Sequence, residues 1–467
     1  MKRSALLVTA CSLGLASGSV TVRKTDQPPT GYEIIFEYTN NEASNVMMGG
    51  DFYSFTDQYH TTPQFNAGLD LHNYKPGDFL APISGTNYGP GGKQVGYEMT
   101  KNQNGVWTYT TPFPSGTFQY WFLPDCDYAP NCTSIGQVVI DPENPPIENY
   151  PGQQHASIFQ VPYDARFQAY GPLGLEFDYA LPVHQVSERG VVFFVNYTSP
   201  GSTIPAPNIH DYAIYLPVGY NSSQSGTQLY PLLYLNHGAT GNCADWPNME
   251  RMSNIFDQLI ADGELEPTVV VMPSYNGLGA DIDRNTTAIR DNFMRYLFPH
   301  IQSTYAVSSE PDRRAFAGLS LGSALTYEMY INATSYFGYF GLFSGAMQGT
   351  PALGYINKSM VAKNADLANR GLFMSFGAFD VAFDDCRNMQ NALDSLGIHY
   401  VTRLVPYGAH YKNTWQDSLW HFLRIVLWKG KPVTLQSGHG VQQLIIRIAS
   451  PFAFSTSCLV IHVSIAL

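Results

Sequence analysis

From about residue 213 to residue 430 the chain alternates short, almost wholly apolar runs with longer stretches of helical period. The runs are Pro231 to Asn236, Val269 to Pro273, Arg314 to Ala317, Leu372 to Gly377 and Val401 to Pro406. Apolar runs this short, bounded by turn residues, read as strands buried on both faces. Between and after them, Trp246 to Ala261, Thr287 to Tyr305 and Trp415 to Leu427 carry helical periodicity. Their apolar stripes read as core rather than as ligand sites. Strands alternating with helices predict an α/β architecture, a mostly parallel sheet flanked by helices.

The first third reads differently. Tyr32 to Tyr38, Asn45 to Phe52, Gly105 to Thr110 and Gly116 to Phe122 are strand-like, with turn signals between them and no helical period. That pattern predicts an N-terminal β-sandwich over residues 25–145. Trp107, Tyr120 and Trp121 are placed in its core in preference to a glycan-binding surface. Pro142 to Pro151 is proline-rich and marks a linker, residues 146–170, before the α/β domain at 171–432.

One pentapeptide carries chemistry. Gly318-Leu319-Ser320-Leu321-Gly322 is a G-x-S-x-G sequence with a strand before it and a helix after it, Ser323 to Tyr330. A serine there sits on a tight turn, and a Cβ at either flanking glycine would strike a neighbouring element. The helix N-terminus below favours negative charge on a reacting carbonyl. Serine is a weak nucleophile and needs a base and an orienting acid. Asp380 follows the run ending at Gly377, and His410 follows the run ending at Pro406, so both fall at carboxyl ends of strands, where such sheets hold their sites. Asp384 and Asp385 are alternatives for the acid. His421 lies inside the last helix and is read as packed or surface. The run ending at Asn236 leads into His237-Gly238-Ala239-Thr240-Gly241. The backbone N–H groups of Leu321 and Ala239 are the expected oxyanion donors, with Gly238 and Thr240 as near alternatives. His237, Gly238 and Trp246 are the candidate substrate-binding residues.

These stretches resemble the esterase D-like, feruloyl-esterase type of α/β-hydrolase, carbohydrate esterase family 1. The resemblance runs in order from Ala213 to Tyr220, through Tyr230 to Gly238, Asp245-Trp246, Val269 to Pro273, Leu297 to Ile301 and Tyr305, to Arg314 through Gly322 and Gly408-Ala409-His410 with Trp415. Leu321-Gly322-Ser323 departs from the Met-Gly-Gly frequent there. The resemblance implies an α/β-hydrolase fold and a Ser320-Asp380-His410 esterase acting on feruloyl or acetyl esters of plant cell-wall carbohydrate, with no metal or organic cofactor. It also admits siderophore-ester hydrolysis or acyl transfer. A non-catalytic carbohydrate-binding protein is the alternative of another class. The N-terminal segment resembles the early-set immunoglobulin-like domains that precede several such esterases.

Composition narrows the partners. The 467 residues carry a net charge of −12 with only 13% charged residues, which argues against nucleic acid or an anionic membrane as a partner. Lys2-Arg3, the apolar stretch from Ala5 to Leu15 and Ala16-Ser17-Gly18 read as a secretory signal over residues 1–18, so an extracellular protein is expected. Sequons at Asn131, Asn196, Asn221, Asn285, Asn332 and Asn357 fit export and glycosylation. Export permits disulfides. Cys126 and Cys132 enclose a short loop and are expected to pair. Cys243 follows the oxyanion loop and Cys386 follows Asp380, so a bridge between them at the rim of the site is expected, although spacing does not fix connectivity. Residues 433–467 read as a disordered tail, with a glycolipid-anchor signal as the alternative.

Overall fold

The computed structural model describes residues 17–50, 54–55, 79–80, 88–89, 93–125, 131–132, 138–147, 156–167, 177–183, 185–226, 229–279, 285–345, 353–378, 380–405 and 408–430. The expected signal core, Cys126 and the tail lie outside them.

An eight-stranded sheet organises the C-terminal part. Its strands are β1 (Val191–Thr198), β2 (Ile209–Leu216), β3 (Leu232–Asn236), β4 (Val269–Pro273), β5 (Arg314–Leu319), β6 (Tyr339–Phe343), β7 (Gly371–Gly377) and β8 (Val401–Val405). The spatial order is β1-β2-β4-β3-β5-β6-β7-β8. Strand β2 runs antiparallel to both its neighbours, and every pairing from β4 to β8 is parallel. The helices are α1 (Asp245–Asn248), α2 (Met252–Ala261), α3 (Thr286–Asn292), α4 (Phe298–Thr304), α5 (Leu321–Asn332), α6 (Lys358–Lys363), α7 (Phe383–Ser395) and α8 (Lys412–Ile425). This is the α/β-hydrolase architecture.

The apolar runs become central strands because both faces are covered. Along β3, Leu232 and Tyr234 enter one core with residues of α3, α4, α5 and α7. Leu233 and Leu235 enter a second core with residues of α1, α2 and α8. Each such side chain contributes about 1.5–3 kcal/mol of burial free energy.

That two-sided burial corrects the expected Cys243–Cys386 bridge. Cys243 belongs to the core under α1, α2 and α8, and Cys386 to the core under α7, on the opposite face of the sheet. The two are not joined. Both follow site loops in sequence, but their loops turn down opposite sides.

The N-terminal part is a sandwich of two antiparallel sheets. One contains Ser17–Lys24, Tyr32–Thr39, Thr100–Lys101 and Val106–Pro112; the other contains Val46–Gly50, Lys93–Glu98, Gly116–Pro124 and Ser157–Val161. Ile34, Phe36 and Tyr38 face Met48, Phe118, Tyr120 and Phe159 across the core. Two boundaries shift. The first strand already begins at Ser17, and Ser157–Val161, expected in the linker, pairs with Gly116–Tyr120. Trp107, Tyr120 and Trp121 are buried, which agrees with their placement as core.

A polar junction fastens the sandwich to the hydrolase domain. Gln160 donates to the Thr117 hydroxyl and the Ala180 carbonyl, and Asn254 of α2 donates to the same carbonyl. Gln416 of α8 donates to Thr117 at 3.1 Å and to the Glu250 carbonyl at 3.0 Å.

Arg403 of β8 grips Asp417 of α8 with two bonds, 2.9 and 3.0 Å, and so clamps the elements on either side of the turn that carries His410. Burial opposes the charge on Asp417, but His421 and Arg403 outweigh it and hold the carboxyl below its ordinary range. Removing one partner of a buried pair costs about 3–5 kcal/mol. Asp417→Ala is therefore expected to lose about that much unfolding free energy at pH 7 in urea titrations. The deficit should shrink as pH falls below the ordinary aspartate value of ~4, because a depressed folded-state carboxyl contributes stability only while ionised.

Candidate active site

The site is built from the backbone of two strands and a helix that meet at very short range. A Cβ on Gly318 would lie 2.6 Å from the Gly322 carbonyl and 2.9 Å from the Asn236 Cβ. A Cβ on Gly322 would lie 2.4 Å from the His237 carbonyl oxygen. Both glycines are demanded by close approach alone. Between them Ser320 is forced to φ 54° and ψ −118°, a strained conformation for a side-chain-bearing residue. Its amide is fixed to the Phe343 carbonyl at 2.9 Å, and α5 starts at the next residue.

This turn lifts the hydroxyl to the carboxyl edge of the sheet, where β7 and β8 deliver their own loops. His410 Nε2 lies 2.9 Å from Ser320 Oγ, and His410 Nδ1 lies 2.8 Å from Asp380 Oδ1. The structure therefore brings together Ser320, His410 and Asp380 in one hydrogen-bonded line. Asp384 is exposed, and Asp385 accepts a bond from the Tyr355 hydroxyl at 2.9 Å. Burial raises the Asp380 carboxyl, but the adjacent His410 ring, with smaller help from Ser344 and the Ala382 amide, lowers it more, and the net shift is downward. It is thus a carboxylate suited to fix the Nδ1–H tautomer and to stabilise an imidazolium. Two contacts hold the histidine, one from Trp415 and one from Thr414, a residue not singled out from the sequence. The Trp415 ring meets the imidazole edge-on at 5.2 Å, and the Thr414 hydroxyl donates to the Ala409 carbonyl at 2.7 Å. Thr414 and Trp415 lie one helical turn past His410, and that spacing was the available signal.

The loop after β3 lies beside the serine: a Cβ on Gly238 would come within 3.3 Å of Ser320 Cβ. Ala239 and Thr240 are exposed at its tip. Among the described residues neither the Leu321 nor the Ala239 amide has an acceptor. The same loop corrects the substrate-binding assignments. His237 is 1% exposed; its Nδ1 bonds the Gly238 carbonyl at 2.7 Å and its ring stacks on Tyr275 at 3.9 Å. Burial pushes the His237 imidazole down to about 3, so it is neutral. Gly238 is buried too, with Tyr275 donating to its carbonyl at 3.0 Å. Trp246 is 1% exposed, and its indole N–H is spent on the Asn236 carbonyl at 2.9 Å. All three are buried in the framework that carries the loop. Of the sequon residues, Asn196, Asn221, Asn285, Asn332 and Asn357 are exposed, and Asn131 lies in a short strand. Asn285 and Asn357 also cap α3 and α6.

Fold and site together define an α/β-hydrolase with a serine–histidine–carboxylate line. The model of the Esterase family matches residues 209–442. The chain belongs to that family. It is 32% identical over 264 residues to an endo-1,4-beta-xylanase/feruloyl esterase of Xylanibacter ruminicola, a match covering 54% of this chain and 32% of that protein. The chain thus spans about a third of the length of that curated relative. Among solved structures, it resembles a CE1 ferulic acid esterase of Anaeromyces mucronatus in complex with ferulic acid (TM-score 0.47, 17% identity, 54% of this chain and 95% of that one). It also resembles the enterobactin esterase of Shigella flexneri (TM-score 0.49, 15% identity, 86% and 94%).

The backbone constraint can be tested directly. Gly322→Ala is expected to destabilise the fold by roughly 1–3 kcal/mol, because the intruding Cβ meets backbone that cannot yield. It should also depress kcat by displacing the Leu321 amide. Thermal unfolding and aryl-ester kinetics on the same preparation check both.

Proposed function

We propose that the chain is a serine carboxylic-ester hydrolase that removes feruloyl- or acetyl-type acyl groups from plant cell-wall carbohydrate. The observation that carries this reading is the line from Ser320 Oγ to His410 Nε2 at 2.9 Å and from His410 Nδ1 to Asp380 Oδ1 at 2.8 Å. Family membership and the 32% identity to a xylanase/feruloyl esterase support the choice of ester.

Ser320 Oγ attacks the ester carbonyl and passes its proton to His410 Nε2. Asp380 holds the ring by Nδ1 and offsets the charge that forms. The carbonyl oxygen, now negative, is received by the amides of Leu321 and Ala239, which stand at the start of α5 and the tip of the β3 loop. The tetrahedral intermediate collapses, His410 protonates the departing sugar oxygen, which leaves as the hydroxyl, and an acyl-serine remains. Water, deprotonated by His410, then releases the acid. Export and glycosylation at the exposed sequons belong to the same proposal, and mass measurement of the secreted protein tests them.

Ser320→Ala should remain folded and lose at least ~10³-fold in hydrolysis of a simple aryl ester. An active alanine variant would end the proposal. Wild-type protein incubated with feruloylated arabinoxylan, acetylated xylan and a cyclic catecholate ester should release acid from the xylans. Release from the catecholate alone would move the substrate assignment to siderophore esters.

A further inference from the structure

Under the loop after β3 the chain buries two carboxyl groups. Asp245, at the start of α1, is 7% exposed, and Glu250, between α1 and α2, is 0% exposed. Asp245 presses on the loop from below: a Cβ on Gly241 would come within 2.0 Å of Asp245 Oδ2 and 2.8 Å of His237 Nδ1. Both Glu250 oxygens are buried with no hydrogen-bond partner among the described residues. The charge of Asp245 is felt by Glu250 and by the Tyr275 phenol, so carboxyls and phenol share one neighbourhood. The groups facing Asp245 are thus His237 from the loop, Tyr275 from the segment after β4 and Glu250 from the link between α1 and α2. None is a cation, since His237 is neutral. Arg251, the base next to Glu250 in sequence, is buried and shifted down by burial. A carboxylate kept from water without a counter-charge costs several kcal/mol, and such a group keeps its proton instead.

We propose that Asp245 is a positioning residue for ester hydrolysis, active as the neutral acid. Protonated, it braces the Ala239 loop from below without adding charge. Ionised, it sets a negative charge under the amide that receives the oxyanion and so opposes the reaction. This rests on the esterase reading and on Ala239 as an oxyanion donor. Burial pushes the Asp245 carboxyl up to about 7, against one favourable bond from the Asn242 amide. Glu250 is likewise raised well above the ordinary glutamate range, by burial first and then by Asp245. A carboxyl raised in the folded state contributes fully below its unfolded value of ~4, and that contribution is lost as pH rises through about 7.

The test is the pH dependence of kcat and KM of the full chain on an aryl ester from pH 5 to 9, for wild type and Asp245→Asn. Wild-type kcat should fall at least ~10-fold on the alkaline side, and the isosteric amide should abolish that fall while KM follows wild type. Urea unfolding should show the asparagine variant gaining on wild type between pH 5 and pH 8. An Asp245→Asn profile that declines like wild type overturns the inference. Should the variant misfold, infrared difference spectra of Ser320→Ala must still show a protonated carboxylic acid at pH 6 that is gone at pH 9; its absence overturns the inference equally. The two readings fail separately. An active Ser320→Ala sinks the esterase, whereas an inactive one beside an unchanged Asp245→Asn profile sinks only the role of Asp245.

Discussion

The close approach of three backbone segments around Gly318 and Gly322 is the constraint on which the site depends. The end of β3, the end of β5 and the first turn of α5 come so near that a single methyl group would overlap carbonyl oxygens at 2.4 to 2.8 Å. Because no side chain intervenes, the Ser320 hydroxyl, the Leu321 amide and the β3 loop are fixed relative to one another by peptide geometry. The strain at Ser320 persists because the Phe343 carbonyl and the helix beginning at Leu321 leave that residue no other conformation. His410 and Asp380 then need only be brought to a hydroxyl that is already placed.

What was legible in the sequence was local. Glycines at both ends of the pentapeptide announce a contact that side chains cannot survive, and the apolar runs announce strands covered on both sides. Asp380 and His410 were recognisable because parallel strands put their loops at one edge. What escaped was non-local. Ser157–Val161 looks like the end of a proline-rich linker, yet it pairs with Gly116–Tyr120, some forty residues earlier, and no periodicity in a five-residue strand declares that partner. The cysteines misled for a related reason. Loops at one edge of a sheet can descend on either face, and Cys243 and Cys386 descend on different ones. Trp246 and His237 sit beside the site in sequence, and only their burial identifies them as supports.

The support beneath the β3 loop is chemically unusual. Loops near a reacting carbonyl gain from fixed dipoles aimed at the developing charge. Here the Tyr275 hydroxyl holds the His237 and Gly238 carbonyls from below, the Trp246 indole holds that of Asn236, and Asp245 fills the space under Gly241. Donors thus hold the loop's carbonyls from within.

The junction at Thr117 bears on what counts as the catalytic unit. Family similarity begins at residue 209, but α8, which starts two residues after His410, is tied through Gln416 to a hydroxyl of the sandwich and to the carbonyl of Glu250. A cut made where similarity begins would leave Gln416 and Asn254 facing water on the helices that back the histidine and the β3 loop. The junction thus ties the helix behind His410 and the helix beside the β3 loop to the sandwich through single side-chain amides, so the sandwich touches the site's scaffold without touching the site.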